Sequence, residues 1–287
     1  MSVELPAPGR MEDRVVVITG ASSGIGRAAA RELALLGATI AVVGRNPERT
    51  RAVAAEVSGT AYLVDYADLQ SVRDLAERLL ADLPRIHVLA NNAGAIGPRA
   101  TTRDGFDQTF QQNHLSPFLL TNLLLPRLVD TARDAPPGSV RIIQTSSAGN
   151  LFGRVRIDDL DNRHVGPWLG GFTAYGTSKL ENILFTRELA RRHQGDGISA
   201  YAFHPGYVAS GFGGDGPVSS LMKRAAVSPE EGAAPLVRLA STARVPAPSG
   251  NYFDRLTAPG RTRRQANDAG LAAALWAESE RRSGLAG

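Results

Sequence analysis

Tyr175 and Lys179 stand four residues apart in a segment with helical spacing, which places both side chains on one face of a helix. A tyrosine hydroxyl has a reference pKa of about 10, too high for efficient proton transfer near neutral pH. A neighbouring ammonium favours the phenolate and so lowers that pKa. Such pairs are common on helix surfaces, but here lysine is almost absent, Lys223 being the other one, and the pair follows a strand that carries Ser146 and Ser147. We predict that Tyr175 and Lys179 form a general acid/base.

A glycine-rich loop, Thr19-Gly20-Ala21-Ser22-Ser23-Gly24-Ile25-Gly26, joins the first apolar strand to a helix. Its glycines allow a tight turn and a close approach of the backbone to a pyrophosphate. The free N–H groups and the dipole at the start of the helix favour negative charge. We predict that the phosphates of a dinucleotide bind here, and the contacting residues are Gly20, Ser22, Ser23, Gly24, Ile25 and Gly26.

The same loop also matches G-x-S-x-G, the nucleophile elbow of α/β-hydrolases. That elbow likewise lies between a strand and a helix, but it follows several earlier strands, one of which supplies oxyanion donors. Here the loop follows the first strand, and no HGGG-type sequence precedes it. The hydrolase interpretation is therefore the weaker one.

The end of the second strand bears on which nicotinamide cofactor is bound. A site for NAD calls for an acidic residue near this point to accept from the ribose 2′-hydroxyl, but the sequence has Gly44 followed by Arg45. Arginine can bind a 2′-phosphate through its charge and its forked geometry, so NADP(H) is favoured over NAD(H). Arg45 as a plain surface residue is the alternative. Asp65, after the third strand, is a candidate acceptor for the adenine amino group or, alternatively, a helix N-cap.

The elements that must position these residues alternate along the chain. Short apolar runs lie near residues 15–18, 40–43, 61–64, 86–89, 140–143 and 198–203, and segments with helical spacing lie at 27–36, 69–83, 111–125 and 175–192. This βαβα alternation predicts a three-layer Rossmann fold, a parallel doubly wound sheet with helices on both faces. We assign residues 1–287 to one domain, with substrate loops at about 150–172 and 207–226 and a C-terminal tail from about 260, helical near 271–280.

Composition excludes several other classes of protein. The chain has no cysteine, which rules out disulfides, thiolate catalysis and zinc–sulfur sites. Its five histidines have no metal-ligand spacing, and His87 has the setting of a core histidine. The net charge of +4 is spread over arginines beside acidic residues, which argues against nucleic-acid binding. No signal peptide and no apolar run of about 18 residues is present, so we expect a cytoplasmic protein without a membrane partner.

These motifs together resemble the short-chain dehydrogenase/reductase family from about residue 14 to residue 253. In family order they are Thr19-Gly20-x-x-x-Gly24-x-Gly26, Asn91-Asn92-Ala93-Gly94, Asn113, Ser146-Ser147, Tyr175-x-x-x-Lys179 and His204-Pro205-Gly206. Within the family the chain is most similar to the retinol-dehydrogenase-like branch, in segments 112–121, 178–186 and 249–253. The resemblance implies hydride transfer between a nicotinamide cofactor and a carbonyl or alcohol substrate.

The resemblance also implies a role for each site residue. Tyr175 exchanges a proton with the substrate oxygen, Ser147 hydrogen-bonds that oxygen, and Lys179 lowers the pKa of Tyr175 and binds the nicotinamide ribose. Asn113 holds a water that links Lys179 to solvent, although capping or packing is a simpler role for it. Further cofactor contacts are implied at Asn91, Ala93 and Gly94 after one strand and at Pro205, Gly206 and Val208 after another, where Pro205-Gly206 as an ordinary turn is the alternative.

Substrate and assembly are less closely defined. Phe152, Trp168 and Phe172 in the loop before Tyr175 either wall an apolar pocket or pack the loop down, so the expected substrate is a hydrophobic aldehyde, ketone or alcohol. Relatives often pair through the helices near residues 111 and 175, which implies a homodimer or homotetramer, and Pro126 should end or kink the first of these helices. The alternatives are a non-catalytic NADP(H)-binding regulator on the same fold and a sugar-nucleotide epimerase or dehydratase. Regulators commonly lose the tyrosine or lysine, and the epimerase branch is longer.

Overall fold

The computed structural model describes residues 2–97, 99–163, 167–207 and 227–285, with the side chains of 167–170 left aside. Within these ranges nine strands form a single sheet in the order β1-β9-β8-β7-β6-β5-β2-β3-β4. The strands are β1 (Val3–Glu4), β2 (Val15–Thr19), β3 (Thr39–Gly44), β4 (Thr60–Leu63), β5 (Val88–Asn91), β6 (Val140–Thr145), β7 (Ile198–His204), β8 (Tyr252–Asp254) and β9 (Thr257–Ala258). All neighbours from β4 to β8 pair in parallel, while β9 and β1 add an antiparallel edge.

Helices cover both faces of this sheet. They are α1 (Gly24–Leu35), α2 (Pro47–Glu56), α3 (Leu69–Asp82), α4 (Ser116–Arg133), α5 (Pro167–Arg192), α6 (Pro229–Ser241) and α7 (Ala269–Ser283). One apolar core joins α3, α4, α5 and α7 to the sheet, and a second core joins α1, α2 and α6 to its other face. The predicted three-layer, doubly wound parallel fold is confirmed.

The strand order creates a crevice at one edge of the sheet. β2 pairs with β3 on one side and with β5 on the other, so the chain adds β3 and β4 on one side of β2 and then crosses to add β5 and β6 on the other. In open parallel sheets, ligands bind outside the carboxyl ends of the strands at such a switch point. The carboxyl ends of β2, β5, β6 and β7 lead directly into Gly20, Asn92, Ser146 and Pro205.

The structure corrects two sequence-based expectations about where elements begin and end. The loop predicted at 150–172 is shorter, because α5 already includes residue 167 and the 3₁₀ turns Ala148–Leu151 and Ile157–Asp159 order part of the rest. The helix predicted to end or kink at Pro126 does not end there, since it continues to Arg133, and a kink at Pro126 stays a prediction. Leu124 and Leu128 on either side are fully buried, and such packing can outweigh one lost hydrogen bond. In the second substrate loop, residues 208–226 lie outside the described residues.

His87 has the structural role predicted for it. It lies just before β5, is buried, and its Nδ1 accepts a hydrogen bond from the backbone N–H of Val15 at 3.0 Å. Burial lowers the pKa of His87 to about 4, and the charges of Arg14 and Arg85 act in the same direction. A neutral ring is therefore built into the start of the sheet.

Candidate active site

Lys179 is buried one turn after Tyr175 on α5, under the carboxyl end of β6. Its Nζ donates to the backbone carbonyl of Thr145 at 2.9 Å and lies 5.4 Å from the centroid of the Tyr175 ring. Burial lowers the pKa of Lys179 to about 8. The two residues share one helix face, as their spacing predicted, and Lys179 is held by β6 as well as by its own helix.

The environment of Tyr175 differs from the simple expectation of a lowered pKa. Burial raises the pKa of Tyr175, and the hydrogen bond with Ser147 lowers it in part. A neutral phenol is the form that donates a proton, so this environment suits Tyr175 as a general acid toward a carbonyl oxygen. The lowering by Lys179 stays a prediction, since it depends on the ammonium keeping its charge.

The two serines after β6 have different partners. The Ser146 hydroxyl is buried and donates to the backbone carbonyl of Lys179 at 2.7 Å, which fixes α5 against the sheet. Ser147 is partly exposed, and its Oγ accepts from the N–H of Gly149 at 3.1 Å. Since Ser147 is also the serine that bonds to Tyr175, the geometry supports choosing it over Ser146.

Asn113 lies in a π-helical turn, Gln111–Leu115, directly before α4. π-turns inside helices are frequent at functional sites. The Asn113 side chain accepts from the N–H of Ala95 at 2.9 Å and donates to the Ala95 carbonyl at 2.9 Å and to the Ser178 hydroxyl at 3.0 Å. Both amide hydrogens are thus used within the protein, so a water held by Asn113 would have to donate to its side-chain or backbone oxygen. A Cβ at Gly94 would lie 3.1 Å from the Lys179 Nζ, so glycine keeps this approach open.

Thr19 and Asn92 organise the crevice, although neither was proposed from the sequence as a site residue. Thr19 Oγ1 accepts from the N–H groups of both Asn92 and Ala93 at 3.0 Å, and the Asn92 amide donates to the Thr19 carbonyl at 3.0 Å. These bonds tie the end of β2 to the turn after β5. Both residues belong to the motifs recognised in the sequence, but spacing alone did not show that they bind each other. Asn91 is buried beside them and donates to Thr121 at 2.8 Å, so its side chain points to α4.

The glycine loop fits a dinucleotide. Gly20 and Gly24 have positive φ angles of 67° and 52°, which favour glycine. A side chain at Gly26 would collide with the Gly20 carbonyl and the Asn92 amide. Ser23 is the N-cap residue of α1, yet its side chain caps no backbone N–H. The first-turn N–H groups, including those of Gly24 and Ile25, therefore remain available to an anionic group.

The residues predicted to contact the adenosine half lie at the same edge of the sheet. Arg45 is exposed after β3, and within the described part of the chain it has no hydrogen-bond or ion-pair partner. A Cβ at the preceding Gly44 would lie 3.1 Å from that of Ser22, so β3 ends against the glycine loop. Asp65 is exposed and accepts from Ala67 N–H. The N-cap of α3 is Asp68, so the N-cap alternative for Asp65 was wrong.

The segment after β7 is described as far as Tyr207. Gly206 has a φ of 92°, and a Cβ there would lie 3.2 Å from the Val227 side chain. Pro205 and Gly206 leave the sheet at the same edge as Ser147. Val208 lies outside the described residues, and cofactor contacts at Pro205 and Gly206 stay predictions.

Comparison with known proteins agrees with this architecture. The family described as short chain dehydrogenase matches residues 14–157. Retinol dehydrogenase 12 of Mus musculus is 44% identical over 205 residues, 69% of this chain and 62% of that protein. A Streptomyces sp. (strain C5) relative named "Putative daunorubicin C-13 ketoreductase DnrU" is 42% identical over 94% of this chain and 93% of its own length. Retinol dehydrogenase 13 of Homo sapiens is 36% identical over 98% and 87%.

Solved structures give the same result. An uncharacterised protein from Mycobacterium Paratuberculosis has a TM-score of 0.78 at 35% identity and covers 99% of this chain and 98% of its own. A Pseudomonas aeruginosa RhlG/NADP complex has a TM-score of 0.70 at 25% identity over 93% and 100%. The chain therefore belongs to the short-chain dehydrogenase/reductase family and to its retinol-dehydrogenase-like branch. It is an NAD(P)-dependent oxidoreductase that acts on alcohol or carbonyl groups.

Among the residues that the structure describes, no helix combines the length and the apolar character of a membrane span. The same part of the chain contains no group of three or more histidine, aspartate or glutamate side chains placed to hold a metal ion.

Proposed function

We propose that this protein is an NADP(H)-dependent oxidoreductase for hydrophobic ketones, aldehydes or alcohols, with Tyr175, Ser147, Lys179 and Asn113 as its catalytic residues. The observation that carries the proposal is the placement of Tyr175. It shares a hydrogen bond with Ser147, has the Lys179 ammonium 5.4 Å from its ring, and lies on α5, the helix between β6 and β7. The regulator alternative lacks support, because the acid/base pair is intact.

The chain's own residues account for the proton and for the charge on oxygen. Bound NADP(H) supplies or accepts hydride at its nicotinamide ring. In the reductive direction Tyr175 donates its proton to the substrate oxygen while Ser147 donates a hydrogen bond to it, and both stabilise the developing alkoxide. Lys179, fixed by Thr145, supports the tyrosinate left behind. In oxidation the same groups act in reverse.

The preference for NADP(H) rests on Arg45. The guanidinium is exposed, unpaired within the described chain and placed after β3 beside the glycine loop. Arginine forms bidentate, charge-assisted hydrogen bonds with phosphate. Gly20, Ser22, Ser23, Gly24, Ile25 and Gly26 would hold the pyrophosphate, with Asp65, Asn91, Ala93 and Gly94 along the adenosine and ribose side and Pro205, Gly206 and Val208 along the nicotinamide.

The hydrophobic substrate class rests on exposed aromatic side chains near Tyr175. Phe152 and Phe172 are 64% and 51% exposed, their ring centroids are 5.9 Å apart, and Tyr207 is 40% exposed. Phe172 lies one turn before Tyr175. Phe152 lies three residues after Gly149, where a Cβ would be 3.4 Å from the Tyr175 ring. Ligand-binding grooves are one kind of site at which apolar side chains are exposed together. We therefore choose benzil, a diketone flanked by phenyl rings, as probe, with diacetyl, flanked by methyl groups, as matched control.

The cofactor assignment is tested by calorimetric titration with NADPH and NADH. We expect NADPH to bind at least tenfold more tightly, and Arg45→Ala to remove most of that difference, because a phosphate contact with arginine contributes about 1.5–3 kcal/mol. Arg51→Ala, on the exposed part of α2, is the control and should leave both affinities unchanged. Equal binding of the two cofactors by the wild type would contradict the NADP assignment.

A further inference from the structure

A network of ion pairs lies behind the active site, at the junction of α5, the turn before α4 and the last helix. We propose that Arg282 in α7 is a positioning residue for the substrate side of the active site and that it acts through Asp161. This inference rests on the proposed function. Arg282 is about a hundred residues from Tyr175 in sequence, so local spacing does not reveal the link.

Arg282 is held on several sides. Its side chain is 12% exposed, its Nη1 lies 3.0 Å from Asp161 Oδ2, and its Nε lies 2.8 Å from Glu278 Oε1. The guanidinium also stacks over Phe106 and Phe110, 5.5 Å and 5.3 Å from the ring centroids. Charge-assisted hydrogen bonds and cation–π contacts of this kind fix a planar guanidinium in one orientation.

Asp161 connects three segments through one carboxylate. It precedes α5, and its Oδ2 receives Arg282 while its Oδ1 accepts from the N–H of Asp107 at 2.9 Å. Asp107 in turn caps the helical segment that leads to Asn113, since its side chain accepts from the N–H groups of Thr109 and Phe110, both at 3.0 Å. Movement of Asp161 would therefore reach both α5 and the turn that holds Asn113.

Arg282 also balances negative charge in this buried region. Glu181 on α5 is fully buried, and among the described residues its carboxyl oxygens have no hydrogen-bond partner. Burial raises the pKa of Glu181, Asp107 and Asp161 raise it further, and Arg282 opposes them. Two other arginines lie nearby. Arg163 reaches the Asp161 carboxylate at 3.5 Å but is largely exposed, and Arg99 lies 3.8 Å from Asp107 and donates to the Asp161 backbone carbonyl at 2.9 Å. Arg282 is more deeply buried than either. Loss of Arg282 would leave the two aspartates close to Glu181 without this cation.

The test compares Arg282→Met with Arg281→Met. Arg281 is the adjacent residue, is 68% exposed, and pairs with Glu278 but not with Asp161, so it is a matched control. Benzil reduction is measured with saturating NADPH, at a temperature where circular dichroism shows each variant folded. We expect kcat/KM to fall about tenfold in Arg282→Met, because small misplacements at a catalytic site have effects of this size. Arg281→Met should stay within about twofold of wild type.

Two further measurements distinguish a positioning role of Arg282 from an effect on stability alone, and keep the test of that role separate from the test of the proposed function. Hydrogen exchange should become faster in segments 99–110 and 157–163 of Arg282→Met and not of Arg281→Met. Asp161→Asn keeps the acceptor for Asp107 but weakens the ion pair, so the double variant with Arg282→Met should be no slower than Arg282→Met alone. A lower melting temperature with unchanged kcat/KM and unchanged exchange would overturn the proposal. Additive losses of kcat/KM in the double variant would also overturn it, because they would show that Arg282 does not act through Asp161. Failure of the wild type to reduce benzil would count against the proposed function, while hydrogen exchange still decides the role of Arg282.

Discussion

At the scale of single residues, the site combines a buried cation with a phenol whose proton is retained. Burial shifts the pKa values of Lys179 and Tyr175 in opposite directions: it lowers the pKa of Lys179 and raises that of Tyr175. Burial thus favours the neutral form of each. The hydrogen bond with Ser147 offsets this preference for Tyr175, and the Lys179 Nζ keeps a hydrogen bond to the Thr145 carbonyl. The acid/base function of Tyr175 and Lys179 therefore depends on a few hydrogen bonds with residues that the fold holds in place.

The lowered pKa of Lys179 predicts a dependence of stability on pH. Its pKa is about 8 in the folded chain and about 10.4 when unfolded, so between these values the unfolded chain binds more protons and stability rises with pH. Below pH 8 the cost of burying the ammonium is fully present. The free energy of unfolding of wild type minus that of Lys179→Met, from urea titrations, should rise by about 2–3 kcal/mol across this window. A flat profile for Lys179→Met would show that the ammonium is not desolvated.

At the scale of elements, the junction between β2 and the turn after β5 depends on Thr19. Thr19→Val keeps the shape of the side chain but leaves the N–H groups of Asn92 and Ala93 without their acceptor. Unsatisfied buried donors cost about 1–3 kcal/mol each, so we expect a loss of about 2–4 kcal/mol in urea unfolding and weaker NADPH binding. Thr39→Val, at an exposed position that begins β3, is the control. Equal stability of the two variants would contradict the role assigned to Thr19.

Local patterns were enough to predict the parts of the site that are close in sequence. Each of these parts occupies a short segment, as the glycine loop, the Tyr175–Lys179 pair and each strand or helix do. The spacing of residues within a short segment determines how its side chains are placed. Contacts such as Ser146 with Lys179, Thr19 with Asn92 and Arg282 with Asp161 join residues 33, 73 and 121 positions apart. Such contacts depend on the packing of whole elements. The same reason explains why α4 does not end at Pro126, although proline disfavours the interior of a helix.

At the scale of the whole molecule, α7 bears on assembly. Two copies of the chain were predicted to pair through the helices near residues 111 and 175. In the structure, α7 covers part of the surface that these helices, α4 and α5, form. The Trp276 ring lies 5.0 Å from that of Phe118 on α4 and 5.6 Å from that of Phe185 on α5. A partner using this surface would have to displace a buried tryptophan, which carries a large apolar area.

We therefore expect sedimentation velocity of the wild type to show one species at the mass of a single chain, 30.4 kDa. Trp276→Ala removes the covering ring from Phe118 and Phe185, and should increase self-association. A wild-type dimer that is unaffected by Trp276→Ala would place the interface elsewhere and contradict this expectation.

The central claim is that Tyr175 transfers the proton to a hydrophobic carbonyl substrate. Its most direct test is the rate of benzil reduction by NADPH in the wild type and in Tyr175→Phe, with diacetyl as the second substrate and Tyr62→Phe as the control variant. We predict a higher kcat/KM for benzil than for diacetyl in the wild type. We also predict a loss of about 10²–10⁴-fold in Tyr175→Phe with NADPH binding retained, and a rate in Tyr62→Phe close to that of the wild type. Reduction of benzil by Tyr175→Phe at the wild-type rate would contradict the account.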